Sequence, residues 1–99
     1  MNHFFSINNN LTMQVAVWDT YVTKEDGTIM HFDIIVPNTV DDKAKIFTFG
    51  KEYLASKNQV SQSLSSKECR FCHIQQAPET MVEEIKRNGY FIYEMENCN

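Results

Sequence analysis

The sequence of 99 residues contains no apolar run that approaches the roughly 20 residues of a membrane-spanning helix. It also lacks an excess of basic side chains: nine lysines and arginines oppose thirteen aspartates and glutamates, which leaves a formal charge of −4. A nucleic-acid-binding surface needs a basic face to neutralise phosphates, and an anionic membrane attracts the same kind of face. We therefore expect no nucleic-acid partner and no membrane partner.

A targeting signal is also missing from the N-terminus. Residues 1–12 have no basic leader, and three consecutive asparagines interrupt any apolar stretch. We interpret this segment as a flexible N-terminal extension and residues 13–99 as a single α/β domain, because so short a chain has room for one core. Without export, the three cysteines should stay reduced, and their odd number argues against a disulfide framework. We expect a cytoplasmic location.

The residues that are present favour a β-hairpin at the start of the domain. Residues 14–23 and 29–36 are rich in β-branched and aromatic side chains, and an Asp-Gly pair between them suits a tight turn. Alternation along the second strand places His31 and Asp33 on one face, opposite the apolar face that should meet the core. Asp19 of the first strand is a candidate to join them across the hairpin.

Two helices are predicted in the rest of the chain. Apolar residues at helical spacing follow Thr39, which can cap the first helix, and Gly50 within that helix indicates a close approach to a neighbour. Pro78 suits the first turn of the second helix, and Gly89 suits its end.

Residues 68–75 and 90–95 are predicted strands, so that the element order is β-β-α-β-α-β. Helical crossovers usually join parallel strands. The sequence therefore predicts an α/β (α+β) fold in a single two-layer domain: a mixed four-stranded sheet with an N-terminal antiparallel hairpin, covered by two helices.

Several blocks of the sequence resemble one small bacterial family. They occur in order at residues 17–22 (VWDTYV), 30–33 (MHFD), 50–54 (GKEYL), 68–73 (ECRFCH) and 89–92 (GYFI). Over residues 13–98 the chain is similar to the domain-of-unknown-function family twenty twenty-four, whose members are small uncharacterised proteins. The resemblance implies an α/β fold and no known activity, so it assigns no catalytic residue.

The cysteines and histidines suggest a metal site. Thiolates and imidazoles are the usual zinc ligands, and a structural site needs four. Cys69, Cys72 and Cys98 provide three candidates, with His73 or His31 as the fourth. On a regular strand Cys69 and Cys72 point to opposite faces, so zinc binding requires a bend between them. The alternative is that these thiols pack as small hydrophobes. Zinc is thus a possible cofactor, and none is established.

The Cys69-x-x-Cys72-His73 segment has the residue types for two other kinds of thiol chemistry. Thiol–disulfide enzymes place the first cysteine of such a motif at a helix N-terminus, whereas the next helix here starts near Pro78. The motif also has the spacing of covalent haem attachment, which normally follows export. Thiol-redox chemistry is therefore the alternative function, and the missing export signal argues against haem attachment.

Acid–base chemistry is a further possibility for the polar cluster Asp19, His31 and Asp33. A carboxylate can orient an imidazole, although polar residues on one face of a strand are more often its solvated side.

We expect a binding or assembly module with a possible Cys/His metal site rather than an enzyme. A minor thiol-redox enzyme using Cys69 and Cys72 is the alternative. Homodimerisation through a sheet edge is possible. The substrate and partner are not predicted.

Overall fold

A computed structural model of the chain describes residues 13–60 and 62–99. Its elements are β1 (Gln14–Thr23), β2 (Ile29–Pro37), α1 (Lys43–Ser56), β3 (Cys69–Gln76), α2 (Glu79–Asn88) and β4 (Phe91–Glu96). The predicted order β-β-α-β-α-β and the single α+β domain are confirmed. The segment 1–12, predicted to be a flexible extension, lies outside the described residues. Neither helix combines the length and the apolar content that crossing a membrane requires.

The four strands form one sheet in the order β3-β1-β2-β4, and each neighbouring pair is antiparallel. The prediction of a mixed sheet was therefore wrong. The connection through α1 carries the chain past β1, so that β2 and β3 run in the same direction but do not pair. The chain then returns through α2 to the far side of β2. Each helical crossover thus leads to an edge position, where the new strand meets a hairpin strand running the other way.

The two helices cover opposite faces of this sheet. Even-numbered residues of β1 and β2 pack with Ile46, Tyr53 and Leu54 of α1, whereas Val15, Val17 and Ile35 pack with α2. The domain accordingly has three layers, where two were predicted. The cause lies in the hairpin sequence, because its strands carry apolar side chains at both alternating positions and both faces therefore have to be removed from water.

The contacts of α1 agree with the predicted close approach at Gly50. A Cβ atom at this position would lie 2.8 Å from Ile34 Cδ1 and would also overlap Leu64 Cδ2. The capping residue is Asp42, whose carboxylate accepts a hydrogen bond from the Ala44 N–H at 3.0 Å. Asp42 therefore replaces the Thr39 cap expected from the sequence, and the helix starts one turn later.

Candidate functional site

The hairpin brings a group of polar side chains together on the face that α2 partly covers. In the register of β1 and β2, Asp19 lies directly opposite Asp33, and Tyr21 lies opposite His31. We call Asp19, His31 and Asp33 the acid–imidazole cluster. It lies on the same face as the apolar side chains beneath α2, further along the two strands. The sheet thus holds three titratable groups at fixed positions beside a small core.

Short contacts join the members of the acid–imidazole cluster. His31 Nε2 donates to Asp19 Oδ1 at 2.6 Å, and the His31 ring stacks on Tyr21 with the centroids 4.1 Å apart. The other ring nitrogen of His31 lies 4.0 Å from a carboxylate oxygen of Glu96. One nitrogen or oxygen atom from each cluster residue lies within 4.8 Å of the other two. The three predicted polar residues are therefore brought together.

The two aspartates repel each other when both are ionised. Burial raises the pKa of Asp33 to about 6, and the hydrogen bond with Asp19 and the negative charge of Asp19 act in the same direction. Electrostatic interactions with the side chains of His31 and His73 oppose this shift. Below about pH 6, the protonated Asp33 carboxyl donates to Asp19 and removes the repulsion. A cation placed between the two carboxylates would serve the same purpose.

A cavity of about 310 Å³ adjoins the cluster at Asp33. Apolar side chains supply most of its wall: Val17, Ile35, Pro78, Met81 and Tyr93. His73 and Gln75 of β3 complete its polar side with Asp33. A protonatable carboxyl and an imidazole beside an apolar chamber are the arrangement expected of a small-molecule site.

A larger cavity of about 450 Å³ lies beside the edge strand β4. Three of its lining side chains already satisfy one another: the Tyr53 hydroxyl donates to Glu94, and Lys57 Nζ lies 3.1 Å from the same carboxylate. The smaller cavity is the better candidate because it adjoins the acid–imidazole cluster at Asp33.

The structure does not assemble the predicted Cys/His ligand set. Cys69 and Cys98 are buried in the core between the sheet and α1, and burial raises the pKa of the Cys69 thiol. Cys72 is exposed, and its partner is His73, with 3.2 Å between Sγ and Nδ1. Within residues 13–60 and 62–99, the acid–imidazole cluster is the group of three or more His, Cys, Asp or Glu residues close enough to hold an ion.

Zinc binding by both Cys69 and Cys72 would require a bend that brings them together. The irregularity in β3 does not bring Cys72 close to Cys69. Cys69 pairs with Thr20 on the α1 side of the sheet, and a β-bulge at Cys72 interrupts the register between Val17 and Trp18. The bulge directs Cys72 toward His73 rather than toward Cys69. Three residues of strand span roughly 10 Å, more than the Cα separation that a disulfide bridges. The Cys69–Cys72 pair is thus not poised for redox cycling.

Sequence reasoning did not identify Gln75 as a residue of this site. Tyr93 reaches the cavity because β4 pairs it with Asp33, and Gln75 reaches it because β3 lies beside β1. Both placements depend on long-range strand pairing, for which the local pattern carries no signal. His73 was identified, but as a ligand partner of the cysteines.

The fold and the site together define a small α+β protein: an antiparallel sheet with one helix on each face and a polar cluster beside a small cavity. The chain belongs to the family described as Domain of unknown function (DUF2024), whose model matches residues 13–95. This confirms the family resemblance found in the sequence.

A solved structure shares this fold. The chain is similar to the NMR structure of protein NE1680 from Nitrosomonas europaea, with 48% sequence identity and a TM-score of 0.77. The match covers 88% of this chain and 100% of the other. No curated protein matches the chain.

Proposed function

We propose that this chain is a binding module and that the acid–imidazole cluster holds a divalent metal ion. The observation that carries the proposal is the placement of one candidate ligand atom from each of Asp19, His31 and Asp33 within 4.8 Å of the other two. The proposal keeps the binding function expected from the sequence and moves its metal ligands from the cysteines to the hairpin.

The chemistry of the cluster suits an ion of the zinc type. Imidazole nitrogen and carboxylate oxygen are both common zinc ligands, and a site with three protein ligands keeps one coordination position open. In the free protein, a proton on Asp33 relieves the repulsion from Asp19. A divalent cation would take over this role and release the proton, as metal binding commonly does.

The adjoining cavity provides space for a second ligand. Asp33 belongs both to the cluster and to the cavity wall, so an ion held by the cluster would lie at one end of the apolar chamber. A small molecule with an apolar body and a metal-binding group, such as a carboxylate, would fit this combination. The metal is the first occupant in the proposal, and the small molecule is the second.

Metal-free acid–base chemistry is the second candidate function for the same residues. It is favoured by the raised pKa of Asp33, about 6, in a carboxyl that lines a cavity. A general acid or base works best when its pKa lies near the working pH. The thiol-redox alternative receives no comparable support, because Cys69 and Cys72 lie on opposite faces of the sheet.

The proposal is tested by calorimetric titration of the full chain with zinc chloride at pH 7, after chelator treatment. One equivalent of zinc is expected to bind, and Asp33→Asn and His31→Gln should each weaken binding by about tenfold or more, the size typical of changes around a metal site. Asp41→Asn is the matched control, since Asp41 is exposed and lies outside the cluster.

A further variant distinguishes this site from a thiol site. Cys72→Ser should leave zinc binding unchanged, because Cys72 is not part of the cluster. Zinc binding that disappears in Cys72→Ser and persists in Asp33→Asn would refute the proposed ligands. Failure of the unmodified chain to bind zinc would leave acid–base chemistry as the better function.

A cytoplasmic location belongs to the same proposal. It is supported by the state of the thiols, since Cys69, Cys72 and Cys98 are all unpaired. Free thiols persist in reducing compartments. Fractionation of cells that express the chain with an epitope tag tests the location.

A further inference from the structure

The exposed thiol of Cys72 occupies an unusual backbone position. In the pairing of β3 with β1, His73 lies opposite Val17 and Phe71 lies opposite Trp18, so that Cys72 is the extra residue of a β-bulge. A bulge interrupts the strict alternation of side chains along a strand. Consequently Cys72 and His73, although adjacent in sequence, lie side by side with their side chains in contact.

Cys72, His73 and Gln75 form a continuous hydrogen-bonded chain. The Cys72 Sγ lies 3.2 Å from His73 Nδ1, and His73 Nε2 lies 2.7 Å from Gln75 Oε1. A carbonyl oxygen only accepts hydrogen bonds, so His73 Nε2 carries the proton and donates to Gln75. In the neutral imidazole, Nδ1 is then unprotonated and can accept the thiol proton of Cys72.

These contacts are those of an activated nucleophile. Nucleophilic thiols are recognised by an adjacent base within hydrogen-bond reach and by a third group that orients the base. Here His73 is the base and Gln75 is the positioning residue. The thiol is also accessible, because Cys72 is exposed at the edge strand β3.

We propose that Cys72 is a nucleophilic thiol that forms mixed disulfides with low-molecular-mass disulfides. In the reaction, the Cys72 proton passes to His73 Nδ1, and the thiolate attacks one sulfur of the incoming disulfide. A new sulfur–sulfur bond forms at Cys72 as the old one breaks. The departing thiolate takes the proton from His73 and leaves as a free thiol, so the disulfide is reduced as Cys72 is oxidised.

The product should persist, because the protein offers no thiol to resolve it. Cys69 and Cys98 are both buried in the core on the α1 side of the sheet. Neither can reach a mixed disulfide at Cys72 without local unfolding. Release then requires a second external thiol, which makes Cys72 a reversible modification site rather than half of an internal redox pair. This inference is independent of the proposed metal site, which contains neither Cys72 nor His73.

The test follows the full chain during incubation with glutathione disulfide at pH 7, with the modified cysteine located by peptide mass spectrometry. Modification at Cys72 is expected to proceed about tenfold or more faster than in the His73→Asn variant, because general-base assistance is worth at least this much. The urea-unfolded chain supplies the rate of the same thiol without its neighbours, and the native protein should exceed that rate by a similar factor.

The role of Gln75 is tested by a pair of variants. Gln75→Leu removes the acceptor for His73 Nε2–H and should slow the reaction several-fold, whereas Gln75→Glu keeps an acceptor and should restore it. If Gln75 had only a structural role, the reaction rates of the two variants would not depend on whether the side chain has an acceptor oxygen. Equal Cys72 rates in the native chain, the His73→Asn variant and the unfolded chain would overturn the proposal and leave an exposed, unassisted thiol.

Discussion

Asp19 and Asp33 face each other directly across the central strand pair of the sheet, on a half-buried surface. Carboxylates opposed in this way destabilise a sheet when both are charged. A hydrogen bond from His31 Nε2 stabilises the Asp19 carboxylate at 2.6 Å, and a proton on Asp33 removes the repulsion at low pH. The hairpin therefore carries a local electrostatic cost at neutral pH that no packing requirement explains.

This relationship predicts how stability depends on pH. The folded-state pKa of Asp33 is about 6, against an ordinary value of 3.8, so the folded state binds more protons between these limits. The contribution of Asp33 to stability is then fully present below about pH 4 and is lost as pH rises through 6. Asp33→Asn removes this loss. After allowance for partial solvent exposure, the variant should be more stable at pH 7 by about 1–2 kcal/mol.

Urea unfolding of the chelator-treated protein from pH 4 to pH 8 measures this effect. The difference in unfolding free energy between Asp33→Asn and the unmodified chain should grow between pH 4 and pH 6 and then level off. Asp41→Asn, at an exposed position outside the cluster, should show no such growth. A constant difference across the range would show that Asp33 has an ordinary pKa in the folded protein.

A second prediction concerns the contact between α1 and the sheet. Gly50→Ala should destabilise the protein by about 1–3 kcal/mol, the usual cost of overpacking a core, because the added methyl group would meet Ile34 and Leu64. The expected loss of stability is informative because replacing glycine by alanine at an exposed helix position normally stabilises the helix by about 1 kcal/mol. Lys51→Ala, at the next and exposed position of the helix, is the matched control.

A substitution at Leu64 shows whether the destabilisation by Gly50→Ala comes from the steric clash or from a general change in helix stability. In the Leu64→Ala background, the methyl group at Gly50→Ala gains room, so the cost of the second substitution should fall by at least about 0.5 kcal/mol. Unfolding free energies of the two single variants and the double variant measure this coupling. If the free-energy changes of the two substitutions are strictly additive, the added methyl group does not clash with Leu64.

The hairpin and its polar cluster could be predicted from the sequence because their cause is local. A short turn and a period of two residues fix which side chains of β2 share a face, so His31 and Asp33 were identified together. Asp19 was identified with them as the acid that could meet them across the hairpin. The end of α2 at Gly89 could also be predicted from the local sequence. The φ angle there is +90°, and glycine adopts this conformation without strain.

The remaining features arise from contacts between distant segments. The side of the hairpin on which β3 pairs, and the direction in which it runs, depend on how α1 crosses the sheet. The bulge at Cys72 depends on the register of that pairing, and no glycine in the segment marks it. A strict period of two residues would point the adjacent side chains of Cys72 and His73 apart, whereas the bulge brings them together. The structure does not bring the residues of the Cys/His metal hypothesis together: Cys69 is buried on the α1 side of the sheet, and exposed Cys72 lies beside His73.

The proposed metal site has its own pH dependence, which links it to the Asp19–Asp33 pair. Zinc must displace the proton that Asp33 holds below about pH 6, so zinc affinity should decline as pH falls from 7 to 5. Over the interval below pH 6 the decline should approach about tenfold per pH unit, the value for release of one proton. Calorimetric titrations at several pH values, in buffers with different protonation enthalpies, measure both the affinity and the number of protons released. If the affinity is constant between pH 5 and pH 6 and no proton is released at pH 5.5, the ion is not replacing the proton on Asp33 and binds through other groups.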